Sequence, residues 1–366
     1  MTNSMHEASL LAGYDGGSPR EPRPIVIIGA GGIVRDAHLP AYAKAGFPVW
    51  GIVDIARDKA QALADQYRIR HVFAAVEDAV AEAPADAVYD LALMPEHVPA
   101  ALDALPTGSA VLIQKPLGHS LEQATALRDQ CRTRELVAAV NTQLRFAPYI
   151  AEARKLIAAG EIGEVYDFDL RVSVETPWHM FPQVFGQERL EFTMHSVHYM
   201  DLARSFFGDP DGVSAVTVRH PEKPDIATTR SSVIMRYRDR PLRVVIGTNH
   251  DHDFGPRHEE SFVKWEGTRG AIRARMGLLM AYPDGVPDAL EIARHGERDW
   301  TPIPFEGSWF PDAFIGSMSV LQRYVAGEIP ELPTSVDDVL RTMAVVEAAY
   351  RSDEVEGIAP RIDADQ

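Results

Sequence analysis

Apolar and polar positions follow two different rhythms along the chain. Pro24–Ile28, Val49–Val53, His71–Ala74, Ala87–Leu93 and Ala110–Ile113 are short, nearly continuous apolar runs. A strand buried on both faces, as in a parallel sheet, carries this pattern. Between the runs, apolar residues recur at helical spacing, first through Ile33, Ala37, Leu39, Tyr42 and Ala43, then over Ala56–Tyr67, Val76–Ala83 and Glu96–Leu105. Pro40 lies inside the first of these and predicts a kink or a late start. Strand and helix alternating at this interval predict a doubly wound parallel sheet.

Later in the chain the rhythm shifts to longer alternating or β-rich runs: Val165–Val174, Val213–Arg219, Arg230–Tyr237, Leu242–Thr248 and Ser261–Trp265. A helical pattern, Val336–Tyr350, comes near the end. With 366 residues the chain exceeds the roughly 250–300 that one core supports, so two domains are expected. The boundaries read as 23–142 for the first and 143–366 for the second, with the linker near 140–150. Residues 1–22 are rich in Gly, Ser, Pro and charge and read as a mobile extension, with no apolar piece long enough for a secretory signal.

Composition narrows the function. The formal net charge of -17 would repel a phosphate backbone, so no nucleic-acid partner is expected. No run approaches the roughly 20 apolar residues of a membrane span. Cys131 is the single cysteine, which rules out an intrachain disulfide and cysteine-rich metal sites and fits a cytoplasmic location.

The first strand runs directly into Gly29, Gly31 and Gly32, and a helix follows. Glycine lets the backbone turn tightly and approach a pyrophosphate, and the helix start at Ile33 offers free N–H groups. The pattern is G-x-G-x-x-V, with Val34 where a third glycine would allow close helix–strand packing, so slightly wider packing is expected. Asp54 ends the second strand. A carboxylate there accepts from both adenosine ribose hydroxyls and repels a 2′-phosphate, favouring NAD over NADP. Arg57 is placed to accommodate such a phosphate and tempers the preference. The bland role for Asp54 is to cap the helix that follows.

Several segments, in order, resemble the Gfo/Idh/MocA family of nicotinamide-dependent oxidoreductases: GAGGIVRDAHLPAY, then AVLIQKPLG, NTQLRF, LIAAGEIGEV, HYMDLARSFFG and SVDDVLRTMAVVEAAYRS. The family's Glu-Lys-Pro becomes Gln114-Lys115-Pro116. The resemblance implies an α/β fold: an N-terminal Rossmann doubly wound parallel sheet, then a C-terminal α/β domain with a large, open, mostly antiparallel sheet. That sheet commonly makes homodimers or homotetramers. The resemblance also implies NAD as cofactor and a small-molecule sugar or polyol as substrate.

Lys115 matches the family lysine that hydrogen-bonds the reacting hydroxyl and contacts the cofactor. His198 matches the family histidine near the substrate and is the expected proton acceptor, since imidazole titrates near neutral pH. The nicotinamide, Lys115 and His198 are expected to meet around one substrate carbon. Many members carry an aspartate four residues before the histidine; here that position is Met194. His195 could supply the missing polar group, Lys115 and His198 could suffice, or the activity could be lost or changed. Asp201 reads as structural rather than catalytic. Asn141 and Arg145 match a segment passing near nicotinamide and substrate. Trp178 and His179 could wall the pocket, and Pro95 and His97 match a cofactor-contacting loop. No metal is expected; the alternative would use His195, His198 and His179, or His250 and His252. The expected function is NAD-dependent dehydrogenation of a secondary alcohol of a sugar, sugar derivative or cyclitol. A redox-neutral NAD-dependent glycoside hydrolase and a non-catalytic ligand sensor are the competing readings.

Overall fold

Burial on both faces decides the first layer. β1 (Ile25–Ile28), β4 (Val88–Leu91) and β5 (Ala110–Gln114) are buried throughout, and β2 (Val49–Val53) and β6 (Val137–Asn141) nearly so. With β3 (His71–Phe73) at one edge they pair in parallel, in the order β3-β2-β1-β4-β5-β6. The order reverses between β1 and β4, and the crevice above the carboxyl ends of those strands is where such sheets bind ligands. The computed structural model describes residues 11, 13, 14, 16–355 and 357.

The helix after the glycine turn begins at Gly32 without the late start that Pro40 allowed, and is irregular ahead of that proline. A π-helical turn spans Val34–His38, and the α-helix Leu39–Ala45 follows with Pro40 in its first turn. Val34 is fully buried there.

The second sheet alternates. β7 (Val165–Ser173), β8 (Gly212–Val218), β9 (Arg230–Tyr237), β10 (Leu242–Asn249), β11 (Glu260–Gly267), β12 (Gly270–Arg275), β13 (Ala289–Arg294) and β14 (Thr301–Pro302) run in the order β14-β13-β12-β11-β7-β10-β9-β8. β7 and β10 pair in parallel; the other neighbours are antiparallel. Phe168, Leu170, Val244, Ile246, Val263 and Trp265 point to one face and join a common core with helices Val197–Phe207 and Val336–Asp353. The other face is open. β6 and β12–β14 were not anticipated from the sequence.

Two boundary expectations change. The helix Asp312–Val325 belongs to the sequence-assigned second domain, yet it packs on the first sheet, because Phe314, Met318 and Leu321 join the cluster around Ile25, Ile27 and Leu112. The 1–22 extension is also fastened where it is described. Tyr14 is 7% exposed, its hydroxyl accepts from Arg145 at 3.0 Å, and the Arg154 guanidinium sits 4.1 Å from its ring centre. Residues 1–10, 12 and 15 lie outside the described residues.

Candidate active site

The glycine turn sits at the switch point. Gly29 has φ +109°, and a Cβ there would lie 2.6 Å from the Ala92 carbonyl oxygen, so β1 can pass the end of β4 only with glycine. A Cβ on Gly31 would meet nothing within 4 Å. That glycine leaves open space rather than answering a packing need, as a cradle for a pyrophosphate requires. Asp54 does two jobs. Its Oδ2 accepts from Ala30 N–H and its Oδ1 from Ala56 N–H, both at 2.7 Å. The first bond ties it to the glycine turn and the second closes a tight turn at Ala56, just ahead of the helix Arg57–Tyr67 that it does not itself cap; each oxygen keeps lone-pair capacity for a ribose hydroxyl. Arg57 is exposed beside it. Ile55 is 95% exposed and offers an apolar surface next to Asp54, suited to the face of an adenine ring. Sequence reading missed Ile55; its signal is an isolated apolar residue directly after the strand-ending acid. Ile33 is half-buried at the helix start, Pro95 is buried, and His97 is exposed on the loop after β4. These residues fit NAD.

Under the carboxyl ends of β4, β5 and β6 lies a buried polar cluster that the sequence did not reveal. His38 Nδ1 is 2.6 Å from Asp90 Oδ2, which also accepts from the Tyr42 hydroxyl at 2.7 Å. Gln114 Nε2 and Asn141 Nδ2 approach His38 Nε2 at 3.3 and 3.5 Å. Both amides are donors, so His38 is assigned neutral, with its proton on Nδ1 toward Asp90. This accounts for Gln114 in place of the family glutamate, because an amide can donate to that nitrogen and a carboxylate cannot. It also corrects the expectation for Asn141, whose amide is directed at His38 rather than at a substrate.

Lys115 follows at the end of β5. Its Nζ crosses the crevice and donates to the Met194 carbonyl at 3.1 Å. Burial lowers its pKa to about 8. Across from it stands His198, in the first turn of the helix Val197–Phe207. Its ring is half-buried and meets Trp309 edge to face, centroids 5.7 Å apart. Burial pushes this imidazole well below the ordinary histidine range, and the positive charge of Lys115, then that of His195, adds to the effect. The two side chains are therefore electrostatic neighbours: an ammonium that donates and a neutral imidazole that accepts.

The segment before His198 is not a regular helix. Glu191–Ser196 is π-helical, a form often found at functional sites. Met194 supplies its carbonyl to Lys115 and packs against the small apolar cluster of Trp178, Val184, Leu190, Ile226 and Ala227. The carboxylate that the sequence lacks at 194 is found at Glu191, which is fully buried. His195 Nδ1 lies 3.7 Å and His250 Nε2 3.6 Å from Glu191 Oε2. Burial alone would raise the Glu191 carboxyl; the charges of His250 and His195 and the Ser196 hydroxyl outweigh it and hold it at about 2. The spacing of four between Glu191 and His195 was the signal that could have exposed this pair.

Two expected site residues are structural. Arg145 is buried, and its guanidinium binds both oxygens of Asp201 at 2.6 and 2.5 Å, Asp338 at 2.7 Å and the Pro333 carbonyl at 2.8 Å. Nothing is left over for a substrate, and Asp201 is likewise committed, also accepting from Thr342 at 2.7 Å. Trp178 is buried, with its indole N–H on Asp251 at 2.9 Å, and its ring flanks His195 at 5.7 Å. His179 is exposed. A separate cavity of about 900 Å3, lined by residues such as Val286, Leu290, Phe305 and Phe310, takes in none of Lys115, His195 and His198.

Comparison with known proteins identifies the family. Residues 23–142 match the family described as "Oxidoreductase family, NAD-binding Rossmann fold", and residues 150–273 match the "GFO/IDH/MocA C-terminal domain". The chain belongs to the Gfo/Idh/MocA family. Within this family it is similar to D-apiose dehydrogenase of Paraburkholderia graminis, 25% identical over 89% of this chain and 86% of that one. It is also similar to D-xylose 1-dehydrogenase (NADP(+)) 2 of Haloferax volcanii, 27% identical over 92% and 99%. Among solved structures, an oxidoreductase from Agrobacterium radiobacter in complex with NAD+, L-tartaric acid and magnesium shares the fold. Its TM-score is 0.75 at 21% identity, over 91% of this chain and 97% of that one. Among the described residues, no helix of this Gfo/Idh/MocA member is long and apolar enough to cross a membrane.

Proposed function

We propose that the chain is an NAD-dependent dehydrogenase acting on a secondary alcohol of a sugar, sugar derivative or cyclitol. The observation that carries this is the reach of Lys115 from the end of β5 to the Met194 carbonyl, four residues before His198. NAD, when bound, supplies the hydride acceptor. The glycine turn, Asp54 and Ile55 would hold its phosphates, ribose and adenine. The Lys115 ammonium hydrogen-bonds the substrate hydroxyl and steadies negative charge developing on its oxygen. His198 is neutral at working pH and takes the hydroxyl proton on a ring nitrogen. The dehydrogenase relatives named for D-apiose and D-xylose support a sugar as substrate. We also propose that the open face of the second sheet pairs copies of the chain.

The test is a screen of sugars, acidic sugars and inositols with NAD and NADP, read by nicotinamide absorbance. Lys115→Ala should lower turnover on the substrate found by about 100-fold or more and leave NAD affinity nearly unchanged. Wild-type turnover in that variant would remove the role given to Lys115. Aglycone released from a glycoside without NADH accumulating would replace the dehydrogenase with a redox-neutral hydrolase.

A further inference from the structure

Glu191, His195 and His250 carry a feature that alcohol oxidation by Lys115 and His198 does not use. Glu191 Oε2, His195 Nδ1 and His250 Nε2 are each buried without a hydrogen-bond partner. They face one another, all within 4.8 Å. The Glu191 and His250 side chains are 0% and 4% exposed. Separations of 3.6 and 3.7 Å from Oε2 are too long for hydrogen bonds. They lie close to the roughly 3.3 Å between neighbouring ligand atoms around tetrahedral zinc, given bonds of about 2.0–2.1 Å.

The surroundings hold these atoms in place. The other Glu191 oxygen, Oε1, accepts from Ser196 at 2.6 Å, Thr248 at 2.7 Å and Ser231 at 3.3 Å. Three hydroxyls thus fix the carboxylate while its second oxygen stays free. On His250, Nδ1 lies 3.3 Å from the Thr176 hydroxyl. That bond can take the ring proton and leave a lone pair on Nε2. Outer partners of this kind orient metal-binding carboxylates and imidazoles. Trp178 closes one side, its ring centroid 5.7 Å from that of His195 and 6.2 Å from that of His250.

We propose that Glu191, His195 and His250 bind a divalent first-row transition metal, zinc foremost, through Oε2, Nδ1 and Nε2. Two imidazoles with one carboxylate suit zinc, cobalt or iron better than magnesium or calcium, which prefer all-oxygen shells. Three protein ligands leave at least one position for water or a substrate oxygen. The site adjoins the reacting pair, because His195 directly follows Met194, whose carbonyl accepts from Lys115 at 3.1 Å. Binding does not depend on the chain's oxidising a sugar, so the two proposals fail separately.

The experiment uses the full chain, freed of metal with a chelator and checked for native circular dichroism. Cobalt(II) is the probe, followed by its visible d–d absorption. One equivalent per chain should bind with the intense spectrum of a tetrahedral site, and zinc should displace it. Glu191→Gln and His250→Gln should each weaken binding beyond the roughly 10–100-fold expected from losing an outer partner. Thr248→Val should fall within that smaller range. His195→Gln, at a half-exposed position, is the ligand variant least exposed to folding failure. His295→Ala, an exposed histidine elsewhere, should bind as wild type does. Native wild-type protein that takes up no cobalt would overturn the site, whatever the variants do. So would folded His195→Gln binding cobalt as tightly as wild type.

Discussion

At the scale of single residues, burial lowers both members of the reacting pair and keeps the lysine above the histidine. Lysine ordinarily holds its proton to well above neutral pH, and histidine loses its proton near neutrality. Here Lys115 is lowered to about 8 and His198 is pushed well below 6.5, in both cases mainly by burial. Between those values the ammonium and the neutral imidazole coexist, which is the state that alcohol oxidation needs. The pH profile of kcat/KM should therefore be flat through neutrality, with an alkaline limb near 8 and an acid limb well below 6.5. Lys115→Arg should move the alkaline limb up and out of range even if it lowers the plateau. An alkaline limb unmoved in that variant would assign it to another group. The same shift bears on stability. Between about 8 and 10.5 the unfolded chain holds the Lys115 proton that the folded chain has lost, so stability rises with pH across that window. Below it, the buried ammonium is a full cost. Lys115→Met should be more stable than wild type at pH 7, by on the order of 1–3 kcal/mol, and the advantage should fade as pH climbs toward 10.5 in denaturant titrations.

At the scale of elements, the glycine turn shows two kinds of constraint within three residues. Gly29 is needed by the protein: its φ of +109° and the Ala92 carbonyl 2.6 Å from a would-be Cβ leave no room for a side chain. Gly31 faces open space. Gly29→Ala should cost about 1–3 kcal/mol or more of stability. Gly31→Val should melt like wild type yet bind NAD much more weakly, as isothermal titration would show. Equal NAD affinity in Gly31→Val would place the cofactor elsewhere. Elements of this kind were legible in the sequence because their causes are local. A buried parallel strand shows as a continuous apolar run, and the turn shows as glycine spacing, so β1–β5 and Asp54 were found; Lys115 and His198 were picked out by their match to the family's motifs instead. The parts that were missed have non-local causes. Glu191 was overlooked because only the pair with His195 is local in sequence, while its other partner, His250, is brought in from the end of β10 by the folded second sheet. His38 and Asp90 are 52 residues apart in sequence, and only the closed sheet brings them together. Arg145 was expected at the site because its segment matches one that passes near nicotinamide and substrate in the family, but its partners Asp201, Asp338 and Pro333 come from segments far along the chain.

At the scale of the whole molecule, Arg145 is a hub that holds one chain together, and the open sheet face is the surface proposed to pair it with another. Arg145 fastens the amino-terminal Tyr14, the helix Val197–Phe207 and the start of the carboxyl-terminal helix to the exit from β6. Arg145→Met would strand the buried Asp201 and should cost about 3–5 kcal/mol in urea unfolding, while KM for NAD, measured on the folded fraction, stays as it was. The open face lies beyond that hub. On β8 and β9, Val216, Val218 and Ile234 are exposed, at 54, 56 and 44%, and Val245 on β10 is opposite Ile234. Toward the sheet's middle the same face carries both signs of charge, with Asp167 paired to Arg243 at 2.5 Å and Arg171 to Glu260 at 2.9 Å. A surface with apolar residues at one end and mixed charge at the other can meet a second copy about a two-fold axis, each chain supplying complementary positions. Sedimentation should give at least twice the 40.4 kDa chain mass. Ile234 packs its side chain outward, so Ile234→Asp should leave the fold within about 0.5 kcal/mol of wild type. Placing a charge opposite its symmetry mate or an apolar neighbour should nevertheless split the assembly. A wild-type chain that sediments as a monomer at micromolar concentration would remove the pairing. An Ile234→Asp protein still assembled would move the interface to another face.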